Sequence, residues 1–148
     1  MKATFHTCLL IDDNPLDNYI NTILIRHYNF ANQVITLESS KEALKYIGNG
    51  TIQPDIIFID IRMPVMNGFE FIKEYVKLDN IEPSTKLFIL SATCNPSDIA
   101  RAENNKYVTK FIEKTLTGEK LADIVNTHQI EPMYHAINDP NASNQLSA

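Results

Sequence analysis

PDIIFIDIRMPVMNGFEF, residues 54–71, contains a run of four apolar residues, Ile56 to Ile59, with no polar alternation. A half-exposed strand would alternate, so this run belongs to a strand covered on both faces, as in the centre of a doubly wound parallel sheet. Pro54-Asp55 opens it and Asp60 closes it. From Gly68 to Leu78 the pattern changes to helical spacing, with Phe69, Ile72, Tyr75 and Val76 on one side. Strand, loop and helix in that order make one half of a crossover unit.

The same alternation continues in both directions, which defines an α/β domain. Upstream, Thr7 to Ile11 reads as a strand that stops at Asp12-Asp13. Pro15 then starts a helix in which Leu16, Ile20, Ile23, Leu24 and His27 recur at helical spacing. Val34 to Leu37 is a second strand, and Ser39 or Ser40 caps a helix with Ala43, Leu44 and Ile47 inward and Gly48 at its end. Downstream, Lys86 to Leu90 is a fourth strand ending at Ser91-Ala92. A polar helix follows from Asn95-Pro96-Ser97 to about Asn105, with Ile99, Ala100 and Ala102 as its buried candidates. Lys110 to Glu113 makes a fifth strand ending at Lys114, and Thr117 caps a last helix carrying Leu121, Ile124 and Val125. Five strands and five helices occupy residues 1–130. Residues 131–148, with Pro132, Pro140 and a run of Asn, Ser and Ala, read as a mobile tail in which Met133, Tyr134 and Ile137 can dock on the domain.

Composition narrows the function classes. The chain has 148 residues, the size of one ordinary domain, and 44% apolar with 21% charged residues is globular rather than disordered. A net charge of −5 without any Lys/Arg run gives no general attraction to nucleic acid or anionic membrane. No stretch has the roughly 18–20 apolar residues that span a bilayer, and the N-terminus turns acidic too early for a secretory signal. Cys8 and Cys94 form neither a CxxC nor a zinc pattern and read as small apolar fillers in a reducing cytoplasm.

The placement of ionisable residues carries the chemistry. Open parallel sheets bind ligands outside the carboxyl ends of their strands. The first strand delivers Asp12 and Asp13 to that edge, the third Asp60, the fourth Ser91 and the fifth Lys114. Three carboxylates repel one another unless something cationic joins them, and together they suit a hard divalent cation such as Mg²⁺. Asp60 is then placed as a nucleophile towards a phosphoryl group, since carboxylates form acyl phosphates. The Lys114 ammonium and the Ser91 hydroxyl would meet phosphoryl oxygens. Taken singly, Asp12-Asp13 before Asn14-Pro15 is equally a helix N-cap cluster, and Asp60 equally a turn residue; the joint pattern favours function.

LLIDDNPLDNYI, PDIIFIDIRMPVMNGFEF, FILSAT and KFIEKTLT together resemble the response-regulator receiver domain of two-component signalling, over about residues 5–130. The resemblance implies a flavodoxin-like fold with strand order 2-1-3-4-5. It implies that Asp60 is the phosphoacceptor, served by a sensor histidine kinase or a histidine phosphotransfer protein. Asp13 and Asp60 would ligate Mg²⁺ directly, Asp12 through water, and Arg62 by its backbone carbonyl. Ser91 matches the switch hydroxyl, Phe111 the switch aromatic and Lys114 the lysine that bonds the phosphoryl group. Such a domain phosphorylates and dephosphorylates itself without being an enzyme in the ordinary sense. No helix-turn-helix, catalytic domain or linker follows, so the expectation is a stand-alone regulator. Its output would pass through an unknown downstream protein or by relay of the phosphate. A monomer or a weak homodimer through the fourth-helix face fits equally. Tyr107 would add to the surface a partner reads.

Two departures from the family pattern stand out. Thr115 replaces the proline that usually follows the lysine in a cis bond. A cis bond before a non-proline costs about 2.5–4 kcal/mol, so this bond is either cis at that cost or trans with a different loop. Lys110 is a competing lysine but lies at the start of its strand. Phe111, in place of tyrosine, has no hydroxyl to bond. A haloacid-dehalogenase-like phosphatase would want an acid where Arg62 stands and its nucleophile on the first strand. A flavodoxin would not put Asp12-Asp13 where a flavin phosphate must bind. A receiver-shaped interaction module that is never phosphorylated is the remaining alternative.

Overall fold

Apolar runs become strands and helix-period segments become helices in the computed structural model, which describes residues 2–93 and 95–138, with side chains to residue 129. In chain order the elements are β1 (Phe5–Ile11), α1 (Pro15–His27), β2 (Ala31–Leu37), α2 (Ser40–Gly48) and β3 (Ile56–Ile59). Then follow α3 (Gly68–Tyr75), β4 (Lys86–Ser91), α4 (Pro96–Glu103), β5 (Lys110–Glu113) and α5 (Gly118–Asn138). The five strands form one parallel sheet in the order β2-β1-β3-β4-β5. This is the flavodoxin-like topology the resemblance implies.

The central strands are apolar on both faces because both are covered. Leu9, Ile11, Ile57, Ile59, Leu87 and Ile89 share one cluster with Ala43 and Ile47 of α2 and Phe69, Ile72 and Tyr75 of α3. On the other face Phe58 stacks obliquely between Phe30 and Phe88, with ring centroids 6.2 and 5.5 Å away. Ile11, Ile59, Ile89 and Phe111 lie in register across four strands. The residues just beyond, Asp12 and Asp60, therefore stand side by side at the carboxyl edge.

Helix α1 buries the opposite face from the one its apolar spacing predicts. Leu16, Ile20 and Ile23 are exposed, as is Tyr19, while Asn18, Asn21 and Ile25 are buried. The reason lies in hydrogen bonding. Asn14 caps the helix by accepting from the Leu16 N–H, Pro15 occupies the first turn, and the Asn18 amide donates to the Asp12 carbonyl at 2.9 Å. Turning Leu16 inward would leave that buried carbonyl without its partner and would carry the fully buried Ile25 out of the core.

Smaller differences follow from similar causes. β1 and β2 start earlier than their apolar runs because Phe5 and Ala31 are already paired. Helix α3 ends at Tyr75 rather than Leu78, capped at Val76. In α4 Ala102 is buried, but Ala100 is exposed, contrary to expectation. Helix α5 belongs to a second unit beginning at Thr117. Thr117 caps it by accepting from the Lys120 N–H at 3.2 Å, and Leu121 and Ile124 are buried. Its backbone runs to Asn138, past the expected domain end. The side chains of Met133, Tyr134 and Ile137, the rest of the tail, and Cys94 lie outside the described residues. Among the described residues no helix is long and apolar enough to cross a membrane.

Candidate functional site

The sheet's own hydrogen-bond ladder extends one residue past β1, β3 and β5 and so places Asp12, Asp60 and Lys114. The Asp12 N–H donates to the Leu37 carbonyl and the Asp60 N–H to the Ile11 carbonyl, both at 3.0 Å, and the Lys114 N–H donates to the Ser91 carbonyl at 2.9 Å. One oxygen from each of Asp12, Asp13 and Asp60 lies within 4.8 Å of the others. Asp12 and Asp60 are buried and Asp13 is exposed, so the cluster opens on Asp13's side.

Lys114 Nζ reaches into this cluster. It donates to Asp12 Oδ2 at 2.6 Å, to Asp17 Oδ2 at 2.9 Å and to Asp60 Oδ2 at 3.2 Å. Burial works against the ammonium's charge, but the bonds to Asp12 and Asp17 and the charge of Asp60 outweigh it. The group is held above the ordinary lysine value. Burial raises the Asp12 carboxyl, opposed by Lys114 and by the Asn14 N–H that Asp12 accepts at 2.9 Å. Four carboxylates with one ammonium leave local negative charge, the condition that attracts a hard divalent cation. Asp12, Asp13 and Asp60 fit such an ion by donor type and spacing.

Two buried polar atoms here find no hydrogen-bond partner among the described residues: Asp60 Oδ1 and Ser91 Oγ. Leaving such atoms unsatisfied costs about 1–3 kcal/mol each, a cost that a ligand bonded to them would remove. Phe111 is half-buried against the core cluster. Lys110 is exposed at the start of β5, in register with Phe88 and away from the edge that Lys114 occupies. The Lys114–Thr115 peptide is cis, one of the two alternatives left open by Thr115.

The loop after Asp60 is shaped by backbone needs. A Cβ on Gly68 would run into the Asp60 carbonyl oxygen and stand 3.1 Å from Ile61 Cα, so only glycine allows α3 to start this close. Asn67 and Glu70 close a capping box at that start. Val65 holds φ 67° and is 81% exposed, a conformation a β-branched residue adopts only under constraint.

Arg62, two residues after Asp60, points its guanidinium to Asp98 of α4 at 2.5 Å, and the Thr93 hydroxyl donates to the same oxygen at 3.3 Å. Arg101 of α4 lies 4.1 Å over the Phe69 ring. Helix α4, with one buried residue, is thus tied down by two cationic contacts. Asp17 and Asp98 were not singled out from sequence. Each looks like an ordinary first-turn acid, favourable to the helix dipole.

Comparison with known proteins identifies the family of this chain. Residues 8–126 match the model of the response regulator receiver domain. The chain belongs to that family. It is 30% identical over 124 residues to the two-component response regulator ORR1 of Oryza sativa subsp. japonica, a match covering 80% of this chain and 53% of the rice protein. The chain thus spans about half the length of that curated relative. Among solved structures, a two component response regulator from Cytophaga hutchinsonii is 30% identical, with a TM-score of 0.73 and coverage of 86% of this chain and 97% of the other. The receiver domain of sensor histidine kinase PA1611 from Pseudomonas aeruginosa is 19% identical with a TM-score of 0.69, covering 82% of this chain and 95% of the other. It was solved with a magnesium ion coordinated in its active site cleft.

Proposed function

We propose that this chain is a phosphorylatable receiver in which Asp60 takes a phosphoryl group from a histidine of a sensor kinase or phosphotransfer protein. The observation that carries the reading is the pairing of a partnerless, buried Asp60 Oδ1 with three further carboxylates and one ammonium. Asp60 attacks phosphorus through a carboxylate oxygen, the P–N bond to the donor imidazole breaks, and that nitrogen keeps the electron pair and gains a proton. Asp12, Asp13, Asp60 and the Arg62 carbonyl would hold Mg²⁺, which offsets charge on the phosphoryl oxygens when bound. Lys114 is positioned to pair with one of those oxygens and Ser91 to donate its hydroxyl to another.

The donor has a surface to rest on. Leu16, Tyr19, Ile20 and Ile23 form an exposed apolar stripe on α1 that begins three residues after Asp13. A protein presenting a histidine to Asp60 would cover that stripe, which gives it a reason to be apolar. The response is a population shift in which Ser91 and Phe111 move towards the phosphoryl group and α4, with little buried area, follows. Residues 1–130 form the acting domain, in the cytoplasm, and its output goes to a downstream protein or onward by phosphate relay.

Intact mass after incubation with Mg²⁺ and acetyl phosphate, on wild type and Asp60→Asn together, tests this. The expected result is one base-labile phosphoryl adduct on wild type only. If neither acetyl phosphate nor beryllofluoride binds wild type with Mg²⁺ present, the chain is a receiver-shaped interaction module instead.

A further inference from the structure

Three carboxylates hold Lys114, but they are not equivalent. Asp12 and Asp60 belong to the set of oxygens spaced for a divalent cation, while Asp17 does not. A cation on that set would draw on the lone pairs of Asp12 and Asp60, and its charge would repel the neighbouring ammonium. Lys114 would then retain one counter-ion, the Asp17 carboxylate, which it already contacts at 2.9 Å alongside Asp12 and Asp60. Asp17 suits that task. It sits in the first turn of α1, where the helix dipole favours its charge, and its short stem leaves little freedom to lose. Its side chain is 34% exposed against 15% for Lys114, so the pair lies at the rim of the cluster rather than beneath it.

We propose that Asp17 is a positioning residue that keeps the Lys114 ammonium at the phosphoryl site while Asp12 and Asp60 serve the metal. The role rests on the receiver reading above. Without Asp17, every partner of Lys114 is a metal ligand, and ammonium and metal compete for the same oxygens. With it, Lys114 shifts towards the rim, leaves Asp12 and Asp60 to the cation, and remains within reach of an incoming phosphoryl oxygen.

Calorimetric titration of Mg²⁺ into wild type, Asp17→Asn, Asp17→Glu, Lys114→Met and the Asp17→Asn/Lys114→Met double variant separates this role from simple loss of charge. Asp17→Asn should weaken Mg²⁺ binding about tenfold, the size of effect a part-buried ion pair has on an equilibrium. Asp17→Glu should recover most of that loss. In the Lys114→Met background the same Asp17→Asn change should cost no more than about twofold, because the competition is gone. In ¹⁵N-lysine spectra at saturating Mg²⁺, the Lys114 ammonium signal should persist in wild type and vanish by exchange with water in Asp17→Asn. Equal losses in both backgrounds, or a Lys114 signal unchanged by Asp17→Asn, would overturn the role of Asp17. A wild type that binds no Mg²⁺ would overturn the metal reading itself, and this role with it.

Discussion

At the scale of single residues, the site depends on one side chain that must be missing. Gly68 touches the backbone of Asp60 so closely that any Cβ displaces it. Gly68→Ala is expected to lower stability by about 1–3 kcal/mol, the cost of forcing one group into a packed space. Urea unfolding measures it. The same change should slow phosphoryl transfer from acetyl phosphate, because the displaced atoms belong to Asp60. Lys114 illustrates the converse, a residue whose neighbours hold it charged against burial. Cys8 is a bland case: burial pushes its thiol far up, and it fills the core without chemistry.

At the scale of elements, α1 is the informative one because it is built inside out. Ile25 is fully buried and Ile20 is 44% exposed. Ile25→Ala should cost about 2–4 kcal/mol as a core truncation. Ile20→Ser should change stability by no more than about 0.5 kcal/mol, as a surface change. Chemical denaturation of the two variants checks the assignment of faces. If the stripe serves the phosphodonor, Ile20→Ser should also slow transfer from a phosphorylated kinase and leave transfer from acetyl phosphate unchanged. Helix α4 shows the opposite economy of contact, since Arg62–Asp98 and Arg101–Phe69 hold what its single buried Ala102 alone would not.

At the scale of the whole molecule, the acidic cluster sets stability against function. Asp13 repels Asp12 and Asp60 without having Lys114 as a partner. Asp13→Asn should therefore raise the thermal midpoint of the metal-free protein by about 2–4 °C, equivalent to roughly 1 kcal/mol at this size. Mg²⁺ at a hundredfold excess over its dissociation constant should stabilise wild type by about 2.7 kcal/mol. The same addition should leave Asp13→Asn nearly unmoved. Thermal scans with and without Mg²⁺ read both effects, and a wild type indifferent to Mg²⁺ would contradict the cluster's assignment.

Much of this was legible in the residues. Period-two and period-3.6 patterns are local, so Ile56 to Ile59 declared a buried strand and Phe69, Ile72 and Tyr75 a helix face without reference to anything distant. Acids closing strands were equally visible, because a strand's end is a local event and parallel strands share one carboxyl edge. In helix α1 spacing alone does not decide the buried face, because Leu16, Ile20 and Ile23 and the set Asn18, Asn21 and Ile25 are both helical in spacing. In the folded chain the Asn18 set faces inward, with Asn18 paired to the Asp12 carbonyl and Ile25 in the core. What only the tertiary structure decided were the pairings across sequence: Asp17 with Lys114, Arg62 with Asp98, and the contact of Gly68 with Asp60. Charges and close contacts act over a few ångström of space, and no local pattern along the chain records which distant residues folding will bring within that reach.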